Sequence, residues 1–242
     1  MDWSDTGPPS LPPLMTGEAT DGDPLTVAVA RARAGTDAGL VVHRVRPDRL
    51  SAALVLAPEA PLGEAMAMVF AVANGFADAF GALAPSEVAV HFDWPGGIRI
   101  NGARCGAIRA AASTGRPDAV PGWLVIGLDI PIFAPRDTEP GEDPDRTTLW
   151  EEGCADIVPL RLLESWARHT LVWIHEWLET GMGRLHESWR GRFYALGQEV
   201  TVAHDGAALT GRALGLDEGG GLVLKVGGQT RALPLTGMLE QV

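Results

Sequence analysis

The chain has 242 residues, a mass of 25.5 kDa, 46% hydrophobic and 21% charged residues, a net charge of −12 and an isoelectric point near 4.9. That is the composition of a globular chain with enough length for a sizeable core, and it excludes a wholly disordered one. The acidic balance argues against a protein that tracks nucleic-acid phosphates or an anionic membrane surface, and no apolar stretch reaches bilayer-spanning length.

Residues 1 to about 20 read as an extended lead-in with Pro8-Pro9 and Pro12-Pro13. Its acidic start, Met1-Asp2-Trp3-Ser4-Asp5, lacks the basic and apolar regions of a signal peptide. Two widely separated cysteines, Cys105 and Cys154, suggest a reduced, cytoplasmic location rather than a disulfide framework. Asp23-Pro24 is a helix start, with a carboxylate cap and proline at the first helical position, and Gly35 ends that helix. Leu40 opens a strand, Pro47-Asp48 is a turn, and Ser51 to Leu56 is a second, buried strand. From Pro61 to Leu83 the spacing of Met66, Val69, Phe70, Ala73, Phe76 and Phe80 predicts one long core helix.

Glu87 to Asp93 alternates like a strand. Trp94-Pro95-Gly96-Gly97 is a tight connection. Ile98–Ile100 and Ala103–Ala112 flank Asn101-Gly102, a strong hairpin signal. Gly122 to Phe133 is a buried strand, and Arg136 to Asp145 an acidic, Pro-rich loop. Pro159 starts the longest helix, rich in tryptophan, and a shorter helix covers Met182 to Trp189. After Leu196, four short β segments with Gly-rich turns suggest a small barrel that leans on the main domain.

Few catalytic signatures are visible. No G-x-S-x-G, P-loop, G-x-G-x-x-G or H-E-x-x-H occurs. His169 and His175 are six apart, a spacing that does not stack them for a metal, and no metal site is expected. Arg31, Arg33, Arg44, Arg46 and Arg49 form a basic cluster that reads either as solvated charge or as a pocket for a small anion. The only lysine is Lys225.

The stretch His91 to Ala112 carries most information: a strand ending in Trp94-Pro95, a hairpin, then Arg104 before Gly106-Ala107-Ile108. This resembles the biotin protein ligase branch of the biotin/lipoate protein ligase family, whose strand ends in Trp-Pro-Asn-Asp and whose hairpin leads to a lysine followed by Gly-Ile. Val125-Ile126-Gly127-Leu128-Asp129-Ile130-Pro131 is similar to the family's Val-Val-Ile-Gly-x-Gly-Ile-Asn strand, Thr148-Leu149 to its Thr-x-Leu helix start, and Gly197 to Gly237 to its SH3-like tail.

The resemblance implies an α/β fold with a mostly antiparallel sheet flanked by helices over residues 21–194. An SH3-like barrel follows over 195–242, and the family's DNA-binding winged helix is not expected. It implies ATP with magnesium, biotin or lipoate as the acid, a biotinyl or lipoyl carrier domain as partner, and a homodimer formed through the sheet. Carried onto this chain, it makes Arg104 the catalytic contact to carboxylate and phosphate. Arg44, Trp94, Pro95, Gly96, Gly97, Gly106 and Ala107 would line the ligand. The departures bear on chemistry. The family's Gly- and Arg-rich ligand loop has no counterpart between Arg44 and Arg49, its Asn-Asp is Gly96-Gly97, its lysine is Arg104, and its final asparagine is Pro131. Two functions follow: a divergent ligase that transfers an acyl group to a carrier lysine through an adenylate, or a catalytically silent relative that binds a small carboxylate or a carrier domain. A third is an assembly protein that buries a partner against the Trp-rich helix.

Overall fold

A computed structural model describes residues 7–134, 143, 145–204 and 206–241. Its centre is a seven-stranded sheet in the order β1-β2-β3-β7-β6-β5-β4. The strands are β1 (Thr16–Ala19), β2 (Leu40–Arg46), β3 (Arg49–Leu56), β4 (Val90–Asp93), β5 (Gly97–Ile100), β6 (Ala103–Ala112) and β7 (Leu124–Pro131). Only β1, on the edge, is parallel to its neighbour; all other pairs are antiparallel. The expected lead-in therefore contains a strand. Its sequence, Thr-Gly-Glu-Ala, is largely solvated, so it carries no apolar alternation; pairing with β2 and the Glu18–Arg31 ion pair at 2.7 Å hold it.

Side chains alternate between two faces, and both are covered. Helix α1 (Pro24–Arg33) packs Leu25, Ala28, Val29 and Ala32 on Val42, Ala53, Val55, Ala111 and Val125. The Asp23 side chain caps α1 by accepting from the Thr26 N–H at 3.2 Å. On the opposite face α3 (Met68–Gly81), α4 (Pro159–Thr180) and α5 (Met182–Gly191) cover Leu50, Leu54, Ile126 and Leu128. The helix expected over 61–83 is broken: a short α2 (Leu62–Ala65) precedes α3. Three-residue bonds, Ala67 N–H to Glu64 O and Val69 N–H to Met66 O, tighten the chain between them. Trp189 of α5 is stacked between Phe70 and Phe92, at ring-centroid distances of 4.7 and 5.6 Å. Truncating such a buried ring to alanine costs about 3–5 kcal/mol.

Four further strands, β8 (Glu199–His204), β9 (Ala207–Leu216), β10 (Leu222–Val226) and β11 (Gln229–Leu233), form a separate antiparallel sheet in the order β11-β10-β9-β8. Ala213, Leu222, Leu224, Leu233 and Leu235 join the main core, so the small unit does lean on the large one. The chain end returns to the large sheet: Glu240 N–H donates to Ala110 O at 2.8 Å, and Arg109 grips the Glu240 carboxylate through Nε and Nη2, both at 2.7 Å. Among the described residues no helix is long and apolar enough to cross a membrane.

Candidate functional site

A cleft of about 1370 Å³ lies between the β5–β6 hairpin, the end of β7, the segment after Asp143 and the small sheet's strand β8. Asn101 and Gly102 close the hairpin with φ of 49° and 93°, the left-handed values that Asn-Gly supplies most readily. That turn sets the register that brings Arg99 opposite Arg104.

The cleft's arginines differ in how they are held. Arg49 Nη1 donates to Asp129 Oδ2 at 2.6 Å, while Ser51 Oγ donates to the other carboxylate oxygen at 2.6 Å. Arg99 is more enclosed. Its Nε meets Asp93 Oδ2 at 2.6 Å, its Nη1 donates to Gly102 O at 2.6 Å, and its guanidinium lies 4.4 Å from the Tyr194 ring centroid. Tyr194 reaches the cleft because its N–H donates to Phe92 O on the edge strand β4. Arg104 is exposed, and no ion pair or side-chain hydrogen bond engages it among the described residues. Its backbone forms a parallel bridge with Arg146, through Arg104 N–H to Asp145 O at 2.7 Å and Thr147 N–H to Arg104 O at 2.9 Å. Arg146, also exposed, lines the same cleft. No group of three or more His, Cys, Asp or Glu able to hold a metal occurs among the described residues.

Of the residues singled out by sequence, Trp94, Gly97, Arg104, Gly106 and Ala107 line this cleft. Arg44, Pro95 and Gly96 do not. Arg44 stands on β2, where its Nη1 reaches the Asp21 carbonyl at 3.4 Å. Trp94 is 9% exposed, and its indole N–H is committed to Gly220 O at 3.0 Å. The glycines have structural reasons of their own: a Cβ at Gly96 would lie 2.5 Å from Ile108 O, and one at Gly106 2.6 Å from Asp129 O. The basic cluster is dispersed rather than gathered into a pocket. Arg31 pairs with Glu18, Arg46 with Asp48 and Arg49 with Asp129, while Arg33 lies over Trp123. Arg31 and Arg33 stand on α1, while Arg44, Arg46 and Arg49 share one face of the β2–β3 hairpin, where each is drawn to a different partner. Arg146 and Tyr194 carry no signal in the sequence, because each enters the cleft through tertiary pairing and neither sits in a motif, whereas Glu199 falls in the stretch that resembles the SH3-like tail.

The chain matches the biotin/lipoate A/B protein ligase family over residues 11–191 and the biotin protein ligase C-terminal domain over residues 195–235. No curated protein matches. Among solved structures, it is similar to a biotin protein ligase-like protein of unknown function from Silicibacter sp. TM1040. That protein is 51% identical, with a TM-score of 0.89, covering 96% of this chain and 100% of that one. The apo biotin protein ligase of Aquifex aeolicus shares the fold at 15% identity and a TM-score of 0.71, over 91% of this chain and 95% of that one. So does the same organism's ligase in complex with biotin and ATP, at 16% identity and a TM-score of 0.68, over 93% of this chain and 96% of that one. The seven-stranded sheet, the separate C-terminal sheet and the match across most of the sequence agree: the chain belongs to the biotin/lipoate A/B protein ligase family.

Proposed function

We propose that the protein binds a small organic acid by its carboxylate in this cleft and does not activate it as an adenylate. Residues 21–194 are the binding unit, and residues 195–242, read as the SH3-like barrel, close one wall. Arg104 is the carboxylate contact, with Trp94, Gly97, Gly106 and Ala107 beside it.

The observation that carries this reading is the joint between β2 and β3. Arg46 is paired directly with Arg49, so only Pro47 and Asp48 connect the strands. A Gly- and Arg-rich ligand loop has no room there. The charges point the same way. Two of the cleft's cations, Arg49 and Arg99, are already neutralised by Asp129 and Asp93, and Asp143, Glu151 and Glu199 add negative charge to the walls. The described residues therefore do not fit a magnesium-bound triphosphate, whose transfer chemistry needs cations set around the phosphates. Arg104 supplies a planar, bidentate fork for one carboxylate.

The test is incubation of the full chain with ATP, magnesium, biotin or lipoate and a purified apo-carrier domain, read by mass spectrometry. The expected result is an unmodified carrier, while titration with short carboxylates shows binding that Arg104→Ala removes. An acylated carrier lysine would overturn the reading in favour of the divergent ligase. That second reading draws on the match of both parts of the chain to the ligase family and its C-terminal domain.

A further inference from the structure

We infer that the acid taken by this cleft is a dianion, a phosphate group or a short dicarboxylate, gripped jointly by Arg104 and Arg146. The inference rests on the acid-binding reading above and names its ligand class.

The two pairings that meet at Arg104 set three arginines in one transverse row. Arg99 is its partner on β5, and Arg146 is its partner across the parallel bridge. Paired residues on neighbouring strands, about 4.8 Å apart, project to the same face. Like charges placed directly opposite one another are destabilising unless something offsets them. For Arg99 the offset is built in: the Asp93 carboxylate, the Gly102 carbonyl and the Tyr194 ring surround it. For Arg104 and Arg146 no counterpart is present among the described residues. The acids that share the cleft are otherwise engaged or stand apart. Asp129 holds Arg49 and Ser51, Glu151 accepts from the Thr148 hydroxyl at 2.9 Å, Asp143 accepts from the Asp145 N–H at 3.1 Å, and Glu199 sits on the β8 wall. None forms an ion pair with either arginine.

Among the described residues no carboxylate pairs with these two adjacent, exposed guanidinium groups, which face a large cleft and are open to an anion from outside. A monocarboxylate offsets one of them and leaves the other. A dianion offsets both, each edge of a carboxylate pair or of a phosphate meeting one planar fork. Arg104 alone does not distinguish these ligands; Arg146 does, and makes the second contact.

Calorimetric titration of the full chain at low salt, with acetate, succinate and inorganic phosphate as probes, tests this. Succinate or phosphate is expected to bind at least about tenfold more tightly than acetate, the worth of one further charge-assisted contact. Whichever of the two binds tighter identifies the source of the dianion. Arg146→Ala should abolish that advantage, whereas Arg104→Ala should weaken all three probes. Both side chains are exposed, so thermal unfolding should be the same in each variant. Equal binding of acetate and the dianions, unaffected by Arg146→Ala, would overturn the inference while leaving a single-arginine acid site. Failure of every probe to bind would remove both readings.

Discussion

The indole N–H of Trp94 donates to the carbonyl of Gly220 at 3.0 Å, fastening the Trp-Pro corner of the large sheet to the turn before β10. Both residues are buried, so the ring cannot be exchanged for a purely apolar one without leaving a carbonyl unpaired. Trp94→Phe is expected to lower the unfolding free energy by about 1–3 kcal/mol, the cost of an unsatisfied buried acceptor. Urea unfolding should show a lower midpoint with an unchanged slope; a midpoint equal to the parent's would show that the bond contributes nothing.

Gly106 and Gly183 should respond in opposite directions to alanine. A methyl group at Gly106 would lie 2.6 Å from both Asp129 O and Ile130 Cδ1, and the backbone oxygen cannot swing away. Gly106→Ala should destabilise by about 1–3 kcal/mol through overpacking. At Gly183, within α5, a methyl group would meet no heavy atom within 4 Å. There the same change should stabilise by about 0.5–1 kcal/mol, because glycine is a poor helix former. Thermal melts of the two variants check the pair of signs.

His43, on β2, is 7% exposed, and burial pushes its pKa below the usual 6.5. The unfolded chain therefore takes up the proton more readily than the folded one. This contribution to stability is complete above pH 6.5 and is lost as the pH falls below it. Asp23 acts in a separate, lower window. Burial raises its pKa, but bonds from Thr26 and Arg109 outweigh that and leave it below 3.8. Comparing unfolding free energies at pH 8 and pH 5, His43→Gln should show a smaller drop than the parent chain. Parallel profiles would assign the pH dependence elsewhere.

Burial pushes the Cys105 thiol up to about 12, with help from the charges of Glu152, Cys154 and Glu151. Burial likewise raises Cys154, with help from Glu152 and Glu87. Both thiols are therefore protonated at pH 8 and shielded by the core. Iodoacetamide should leave the native chain unlabelled and add two carbamidomethyl groups after unfolding in guanidinium, as read by mass spectrometry. Rapid native labelling at Cys105 would mean that the region around Pro131 opens easily.

Most local elements are legible in the amino-acid sequence. Asp23-Pro24 begins a helix because the carboxylate caps the Thr26 N–H, and Asn101-Gly102 turns a hairpin because both residues tolerate positive φ. Elements without an internal signal are not legible. Strand β1 has no apolar period, and the break at Met66–Ala67 lies in a stretch that is buried all round. The site is partly readable. Arg104 and Trp94 stand in a motif, whereas the cleft's other arginines become distinguishable only through their partners.

Most of the strands, helices and turns, and the family that they spell, thus follow from residue order, because caps, turns and side-chain periods act between residues a few positions apart. Long-range packing settles the rest: Arg31, Arg46 and Arg49 each meet an acid of their own, while Arg99, Arg104 and Arg146 form a row. Strand register and the path of the chain after β7 bring those three together, and neither leaves a periodic mark on the residues that it joins.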